Sequence, residues 1–314
     1  MSLAYHIIEE KELIVGLGPG HARLKADLTS AHRFQLSDEF AAAADQIMQS
    51  PSETLVKSFQ LSRLPFKSCW IETRFAARQA FTNGRDLGDM YRRDISTVGI
   101  LIKAEDDQGL RWRCHLGWRF STGECSLSAL GQIFDMREVP QRSKIYPRSY
   151  FDNGQRTPDE INALMDIESR AVPFLSDYHR EFYEVAGQRN PDAVAEMTKL
   201  GIGDWMGETI FWVTAVALIN SRNVTVIEPG PDLSKIAKAR RKRGRPEPLS
   251  YTVCKIAPRI LTKYAKSSNS EPGNLRAHFV IGHFKRRRSG IHWWSPHVRG
   301  TSKIGQVTKS YFVT

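Results

Sequence analysis

The chain has 314 residues, of which 41% are hydrophobic and 25% charged, a composition typical of folded proteins rather than disordered ones. No apolar run reaches the roughly 18 residues that a membrane-spanning helix needs, and residues 1–12 lack the basic segment of a secretory signal. The net charge of +11 is segregated: residues 235–314 carry 19 Lys and Arg against two acids, a net +17, whereas the first 234 residues carry −6. This asymmetry predicts a polyanion site, with nucleic acid the first candidate and anionic lipid a distant second.

The first predicted elements are a turn, a helix and a β region. The glycines and proline of 16–20 predict a turn, and the alanine-rich stretch 40–48 predicts a short helix. Between residues 53 and 134, apolar alternation predicts antiparallel strands separated by turns at Asn83-Gly84 and Asp106–Gly109. The clearest strand patterns there are residues 69–75, 97–102 and 110–116.

Residues 157–220 form a helical middle in this prediction. Thr157-Pro158-Asp159 is a favourable helix start, with the helix continuing to about Phe174 or beyond. A second helix begins at Asn190-Pro191-Asp192, and a third, at about 204–220, is apolar enough to be buried on most sides. Strand patterns return at residues 224–227, 250–256, 276–285, 291–294 and 307–313.

This order of elements predicts an α+β fold. Antiparallel β regions at 53–134 and 250–314 flank the helical middle, and the two could share one sheet. The charge distribution divides the chain into an acidic α+β scaffold, 1–234, and a strongly basic β-rich region, 235–314. The basic region is either separate or integrated into the same domain.

The cysteines indicate the compartment. Cys69, Cys114, Cys125 and Cys254 show no CxxC spacing, which predicts reduced, packed thiols rather than a disulfide framework or a zinc ribbon. With no signal and no spanning segment, the sequence predicts a protein of the cytoplasm, with no membrane partner. No cofactor or metal is expected.

The first basic cluster is Lys235–Pro246, with seven basic residues and no acid. Its core, Lys242-Arg-Gly-Arg-Pro246, resembles an AT-hook, and that resemblance implies an extended segment in the minor groove of A·T-rich DNA. The alternative is a solvated basic loop between a helix and a strand. The candidate nucleic-acid-binding residues here are Arg240, Arg241, Lys242, Arg243 and Arg245.

The second basic cluster, residues 276–300, predicts a β-hairpin whose tip is Lys285–Arg288. Cations interleaved with aromatic residues supply phosphate attraction and stacking surfaces for single-stranded nucleic acid. Trp293 and Trp294 must lie on opposite faces of a strand, so only one of them can stack on a base. The candidate binding residues here are Lys285, Arg286, Arg287, Arg288, Trp294 and Arg299.

A longer signature surrounds this hairpin. Arg276-x-His278-x-x-x-Gly282-His283-x-x-Arg286 is followed by Trp294-x-x-Pro296-His297-x-Arg299-Gly300 and by Gly305-x-Val307-x-Lys309-x-Tyr311. The pattern resembles the C-terminal part of an uncharacterised family of bacteriophage and prophage proteins. The resemblance covers about a third of the chain and implies a phage context in a bacterial host cell, without an activity.

The histidines admit a second class of function. His283 and His297 could act as base and acid in metal-independent RNA cleavage, with Arg299 and Lys309 or Tyr311 stabilising the transition state. A metal site is disfavoured because His278 and His283 are five residues apart and acidic co-ligands are lacking nearby.

The sequence therefore predicts a phage-type protein that binds DNA or RNA and acts in transcription, replication or host takeover. The alternatives are a metal-independent ribonuclease and an inhibitor module whose basic face binds an acidic host protein.

Overall fold

The computed structural model describes residues 2–9, 19–48, 61–78, 95–137, 172–190, 192, 201, 205, 208–221, 224–245, 247–256, 276–280, 283–287, 290–294, 297–299 and 301–307. The helices are α1 (Leu3–Glu9), α2 (Pro19–Ser30), α3 (Asp38–Met48), α4 (Arg180–Arg189), α5 (Glu208–Ile219) and α6 (Ser234–Lys242), with a short 3-10 helix at Phe75–Ala77. The strands are β1 (His32–Leu36), β2 (Ser68–Arg74), β3 (Ile95–Ala104), β4 (Arg111–Phe120), β5 (Cys125–Asp135), β6 (Val172–Leu175), β7 (Thr225–Pro229), β8 (Thr252–Ile256), β9 (Arg276–Val280), β10 (His283–Arg287), β11 (Gly290–Trp294), β12 (His297–Arg299) and β13 (Thr301–Val307).

An eight-stranded sheet with the order β6-β5-β4-β3-β2-β1-β8-β7 forms the centre of the fold. Strands β2 to β6 pair with their neighbours in antiparallel fashion, as does β7 with β8. β1, however, is parallel to both β2 and β8. The α+β class is confirmed, but the prediction of purely antiparallel pairing is only partly right. The parallel β1–β2 pair arises because α3 lies in the connection, and such pairs need a long crossover.

Helices cover both faces of this sheet. Along β2, Cys69 and Ile71 pack in the cluster that contains α3 and α5, whereas Trp70 packs with α1 and α2 on the opposite face. This division follows from strand alternation, which sends successive side chains to opposite faces. All twelve residues of α5 are buried, as its apolar sequence predicts. The central sheet is therefore the middle of three layers.

Several predicted boundaries differ from the structure. The helix expected to run to Phe174 is wrong at its end, because residues 172–175 form β6 at the sheet edge, where Pro173 is tolerated. The turn predicted at 16–20 is wrong at its end, because α2 already begins at Pro19. Proline is favourable at the start of a helix, where its missing N–H costs no hydrogen bond. The turn at Asn83-Gly84, residues 157–171, most of 191–204 and 308–314 lie outside the described residues.

The basic region contributes to three sheets. Its strand β8 belongs to the eight-stranded sheet, so the predicted sharing of one sheet is correct for this strand. The later strands form a three-stranded sheet, β12-β9-β13, and a two-stranded sheet, β10-β11. The division at residue 234 stays a prediction. Among the described helices, none is long and apolar enough to cross a membrane.

Candidate nucleic-acid interface

The predicted basic hairpin is present as β10 and β11. The strands pair antiparallel, with His283 opposite Trp294, Phe284 opposite Trp293 and Lys285 opposite His292. Arg288, at the predicted tip, lies outside the described residues. The register therefore fixes which of the predicted binding residues share a face.

The two faces of this hairpin differ in composition. Residues that pair across an antiparallel ladder share a face, and neighbours along a strand alternate between faces. The first face, called here the hairpin cationic face, contains His283, Lys285, Arg287, His292 and Trp294. The second face contains Phe284, Arg286, Ile291 and Trp293. Strand parity thus places Trp294 on the same face as Lys285 and Arg287, and Arg286 on the opposite face.

The three-stranded sheet repeats this division. β12 pairs antiparallel with β9, so that His278 lies opposite Arg299 and Val280 opposite His297. One face contains Arg276, His278, Val280, His297 and Arg299, and the other contains Ala277, Phe279 and Val298. Arg299, a predicted binding residue, therefore belongs to a second face rich in Arg and His.

The pair of histidines predicted for RNA cleavage is divided between two sheets. His283 belongs to β10 and His297 to β12, and among the described strands these two do not pair. His297 instead shares a face with His278, its diagonal neighbour across the β9–β12 ladder. The sequence could not show this, because strand partners depend on long-range pairing. Lys309 and Tyr311 lie outside the described residues.

Lys235–Lys242 of the first basic cluster lie in helix α6, and Arg243–Arg245 follow it in the exposed segment that leads to β8. Arg240 donates to both carboxylate oxygens of Glu9, at 2.7 and 2.9 Å, and its guanidinium lies 4.7 Å from the centroid of the Tyr5 ring. The side chain is only 15% exposed. Arg240 therefore anchors α6 to α1, and Arg241 is paired with Glu247 in a more exposed ion pair.

Gly244 ends this helix in a Schellman motif. Its φ is +64°, its N–H donates to the carbonyl of Arg241, and the N–H of Arg245 donates to the carbonyl of Arg240. Glycine adopts this left-handed conformation without the Cβ penalty of other residues. Minor-groove binding of the Arg-Gly-Arg segment stays a prediction, and it would require this helix cap to open into an extended strand.

Five cations of this segment remain exposed and, within the part of the chain that the structure describes, have no carboxylate at ion-pair distance. They are Lys235, Lys238, Lys242, Arg243 and Arg245. Lys235 and Lys238 are not among the binding residues predicted from the sequence, because no helix was predicted over this segment. Lys235, Lys238 and Lys242 lie in α6, and Arg243 and Arg245 follow its end. Together these five cations form an exposed surface that is called here the basic surface of α6.

A buried polar cluster lies between β4 and the segment that follows β6. The Ser176 hydroxyl lies 3.3 Å from His115 Nδ1, and the His115 ring lies 4.6 Å from the ring of Tyr178. Ser176, His115 and His179 are each at most 1% exposed. A serine–histidine pair without access to substrate does not form a hydrolytic site. Among the described residues, no group of three or more His, Cys, Asp and Glu has metal-binding geometry.

The buried histidines predict acid sensitivity. Burial lowers the pKa of His115 to about 3, with nearby cations adding to the effect, and burial lowers the pKa of His179 to about 4. In the unfolded chain imidazole has a pKa of about 6.5, so the unfolded state binds more protons below that pH. The free energy of unfolding should therefore fall as the pH drops from about 6.5 towards 4, by up to about 1.4 kcal/mol per pH unit for each histidine.

Urea unfolding at a series of pH values measures this dependence. His179→Phe should make it shallower, because the variant removes one titrating group from a buried aromatic position. The relevant interval, about pH 6.5 to 4.5, lies between the pKa values of the unfolded and folded states. If the free energy of unfolding of the variant depends on pH as steeply as that of the wild type over this interval, a buried neutral imidazole at position 179 is contradicted.

Comparison of the chain with protein-family models, with curated protein sequences and with solved structures gives no match.

Proposed function

We propose that this protein binds single-stranded nucleic acid, through the hairpin cationic face and the basic surface of α6. The observation that carries the proposal is the β10–β11 register, which gathers Lys285, Arg287 and Trp294 on one face. Cations attract phosphates, and an indole provides a platform for a base. The resemblance to phage proteins supports a role in transcription, replication or host takeover in the cytoplasm of a bacterial host.

Two features favour a single strand over a duplex. A base can stack on Trp294 only when it is unpaired or splayed out, and β-sheet surfaces with aromatic residues bind nucleic acid in this way. The Arg243-Gly244-Arg245 segment, which would read a duplex minor groove, is instead wound into the end of α6. The exposed cations of α6 then act as phosphate contacts without base specificity.

Binding of the nuclease-treated protein to labelled single-stranded RNA, single-stranded DNA and duplex DNA across a salt series tests the proposal. We expect single strands to bind more tightly, with a log–log salt slope of about −0.7 for each phosphate contact. Weak, salt-independent binding to all three would overturn the proposal and leave an acidic protein surface as the partner of the basic region.

The β9–β12 register favours a second candidate, a metal-independent ribonuclease. His278 and His297 are diagonal neighbours on the face that also holds Arg276 and Arg299. Such neighbours lie about 7–8 Å apart, which leaves room for a phosphate between an acid and a base. RNA cleavage that persists in EDTA and disappears in His297→Ala would support this candidate, and intact RNA after incubation with the wild-type protein would exclude it.

A further inference from the structure

A cleft of about 600 Å³ opens in the eight-stranded sheet, where β1, β2 and β8 begin. The end of α2 and the last residue of β7 complete its walls. The cleft lies outside the basic strands β9 to β13 and outside α6. Its lining residues are Thr29, Ser30, Ala31, His32, Arg33, Phe66, Lys67, Ser68, Pro229, Ser250, Tyr251 and Thr252.

An exposed aromatic ring lines this cleft. The rings of His32 and Phe66 are stacked, with centroids 4.0 Å apart and planes 11° apart. Phe66 is nevertheless 46% exposed, so much of this residue remains accessible to a ligand. Burial and the adjacent Arg33 keep the pKa of His32 below its ordinary value, so that the imidazole beneath Phe66 is neutral at pH 7. A planar, uncharged ring is the group that this surface would stack best.

A guanidinium in the cleft wall is held in a fixed orientation. Arg33 Nη1 donates to the carbonyls of Leu28, Thr29 and Ala31, and Nε donates to the carbonyl of Ser250 at 2.7 Å. The guanidinium therefore caps the backbone carbonyls at the C-terminal end of α2, so that a cation rather than carbonyl oxygens borders the cleft at this point. Within the described residues, Nη2 donates no hydrogen bond and is left for a ligand. An oriented guanidinium binds phosphate with little loss of conformational entropy.

Other polar groups in the cleft also favour an anion. Lys67 is exposed and, in the described part of the chain, lies in no ion pair, and none of the lining residues described above is acidic. Six lining residues carry hydroxyls. Hydroxyl groups that line the cleft can donate hydrogen bonds to phosphate oxygens.

We infer that this cleft binds one nucleotide unit, with the base stacked on Phe66 and the phosphate held by Lys67 and Arg33 Nη2. A nucleotide combines the two features that the cleft favours, a planar ring and an anion, in one molecule. This inference goes beyond the proposed function, because the cleft shares no residue with the basic surfaces. The unit is either a free mononucleotide or one residue of a single strand that continues outside the cleft.

Calorimetric titration of the full-length protein with AMP tests the inference, with adenosine and ribose 5-phosphate as probes of each half. We expect saturable binding of AMP with a dissociation constant below about 1 mM, and binding of each half at least about tenfold weaker. Undetectable binding of AMP and of UMP at millimolar concentration would overturn the inference. Equal binding of AMP and ribose 5-phosphate would also overturn it, since the base would then make no contact.

Three exposed positions allow matched variants. Phe66→Leu should weaken AMP binding about fivefold or more, whereas Phe66→Tyr, which keeps the ring, should retain it. Lys67→Gln should weaken AMP binding about tenfold but leave adenosine binding unchanged, because only the phosphate contact is lost. Lys25→Gln, which removes an equivalent exposed charge on α2 outside the cleft, should have no effect. Equal losses in Lys25→Gln and Lys67→Gln would place the ligand elsewhere.

The source of the nucleotide is distinguished by competition. A single-stranded tetranucleotide that displaces AMP and binds more tightly would identify the cleft as part of a path for a strand, whereas tight AMP binding without displacement would identify a free mononucleotide. The variant Lys285→Gln/Arg287→Gln should retain full AMP binding. The inference can thus fail while the basic surfaces bind nucleic acid, and it can hold while they do not.

Discussion

Replacing Lys285 and Arg287 together by Gln is expected to weaken the binding of single-stranded nucleic acid by roughly tenfold or more at low salt. Both residues lie on the hairpin cationic face with Trp294. The log–log salt slope should become shallower by about 1.4, because each lost phosphate contact on a single strand contributes about 0.7. Fluorescence anisotropy with a labelled oligonucleotide at several salt concentrations measures both quantities.

Arg286 provides the matched control for this experiment. Arg286→Gln and Arg287→Gln remove the same charge one residue apart on β10, but from opposite faces of the hairpin. A long-range effect of net charge would be the same for both variants. We expect Arg287→Gln to reduce affinity several-fold more than Arg286→Gln, and equal effects would contradict the assignment of the binding face.

The second large effect is expected on stability, from the buried ion pair between Arg78 and Glu208. Arg78 Nη1 donates to Glu208 Oε1 at 2.6 Å, and the two side chains are 0% and 3% exposed. The other carboxylate oxygen accepts from Trp212 Nε1 at 2.9 Å. Arg78→Met should lower the free energy of unfolding by about 3–5 kcal/mol, because a carboxylate then stays buried without its cation. Urea unfolding measures the loss.

A double-mutant cycle separates the charge pair from general packing. Glu208→Gln alone should also destabilise, since it removes the charged partner of a guanidinium in the core. The double variant Arg78→Met/Glu208→Gln should lose less than the sum of the two single losses, because residues in direct contact are not additive. Additive losses would show that the ion pair itself contributes little beyond the packing of each side chain.

Local patterns predicted those elements whose burial is periodic or complete. The strands around residues 69–75, 97–102 and 110–116 and the apolar helix ending near Asn220 are present because their patterns match a sheet and a core helix. β1 was missed because five residues, His-Arg-Phe-Gln-Leu, give too short an alternation to stand out. Residues 172–175 were assigned to a helix because edge strands carry little of the alternation that marks central ones.

The candidate site was predicted in composition but not in arrangement. The charge distribution of the sequence located the basic region, and the alternation of side chains along a strand placed Trp293 and Trp294 on opposite faces. The role of Arg240 could not be predicted, because its partner Glu9 lies 231 positions away in the sequence. The cleft beside Phe66 was missed for the same reason: its walls come from the turn after α2, the start of β2 and the segment before β8.

The sequence by itself determined the α+β class, the buried α5 and the segregation of charge, since each depends on composition or on local periodicity. Only the tertiary structure decided which strands are parallel, which His and Arg residues share a face, and which cations are already paired with carboxylates. These properties depend on contacts between residues far apart in the chain. Such contacts depend on how all elements of the fold pack together, and a local segment of sequence does not carry that information.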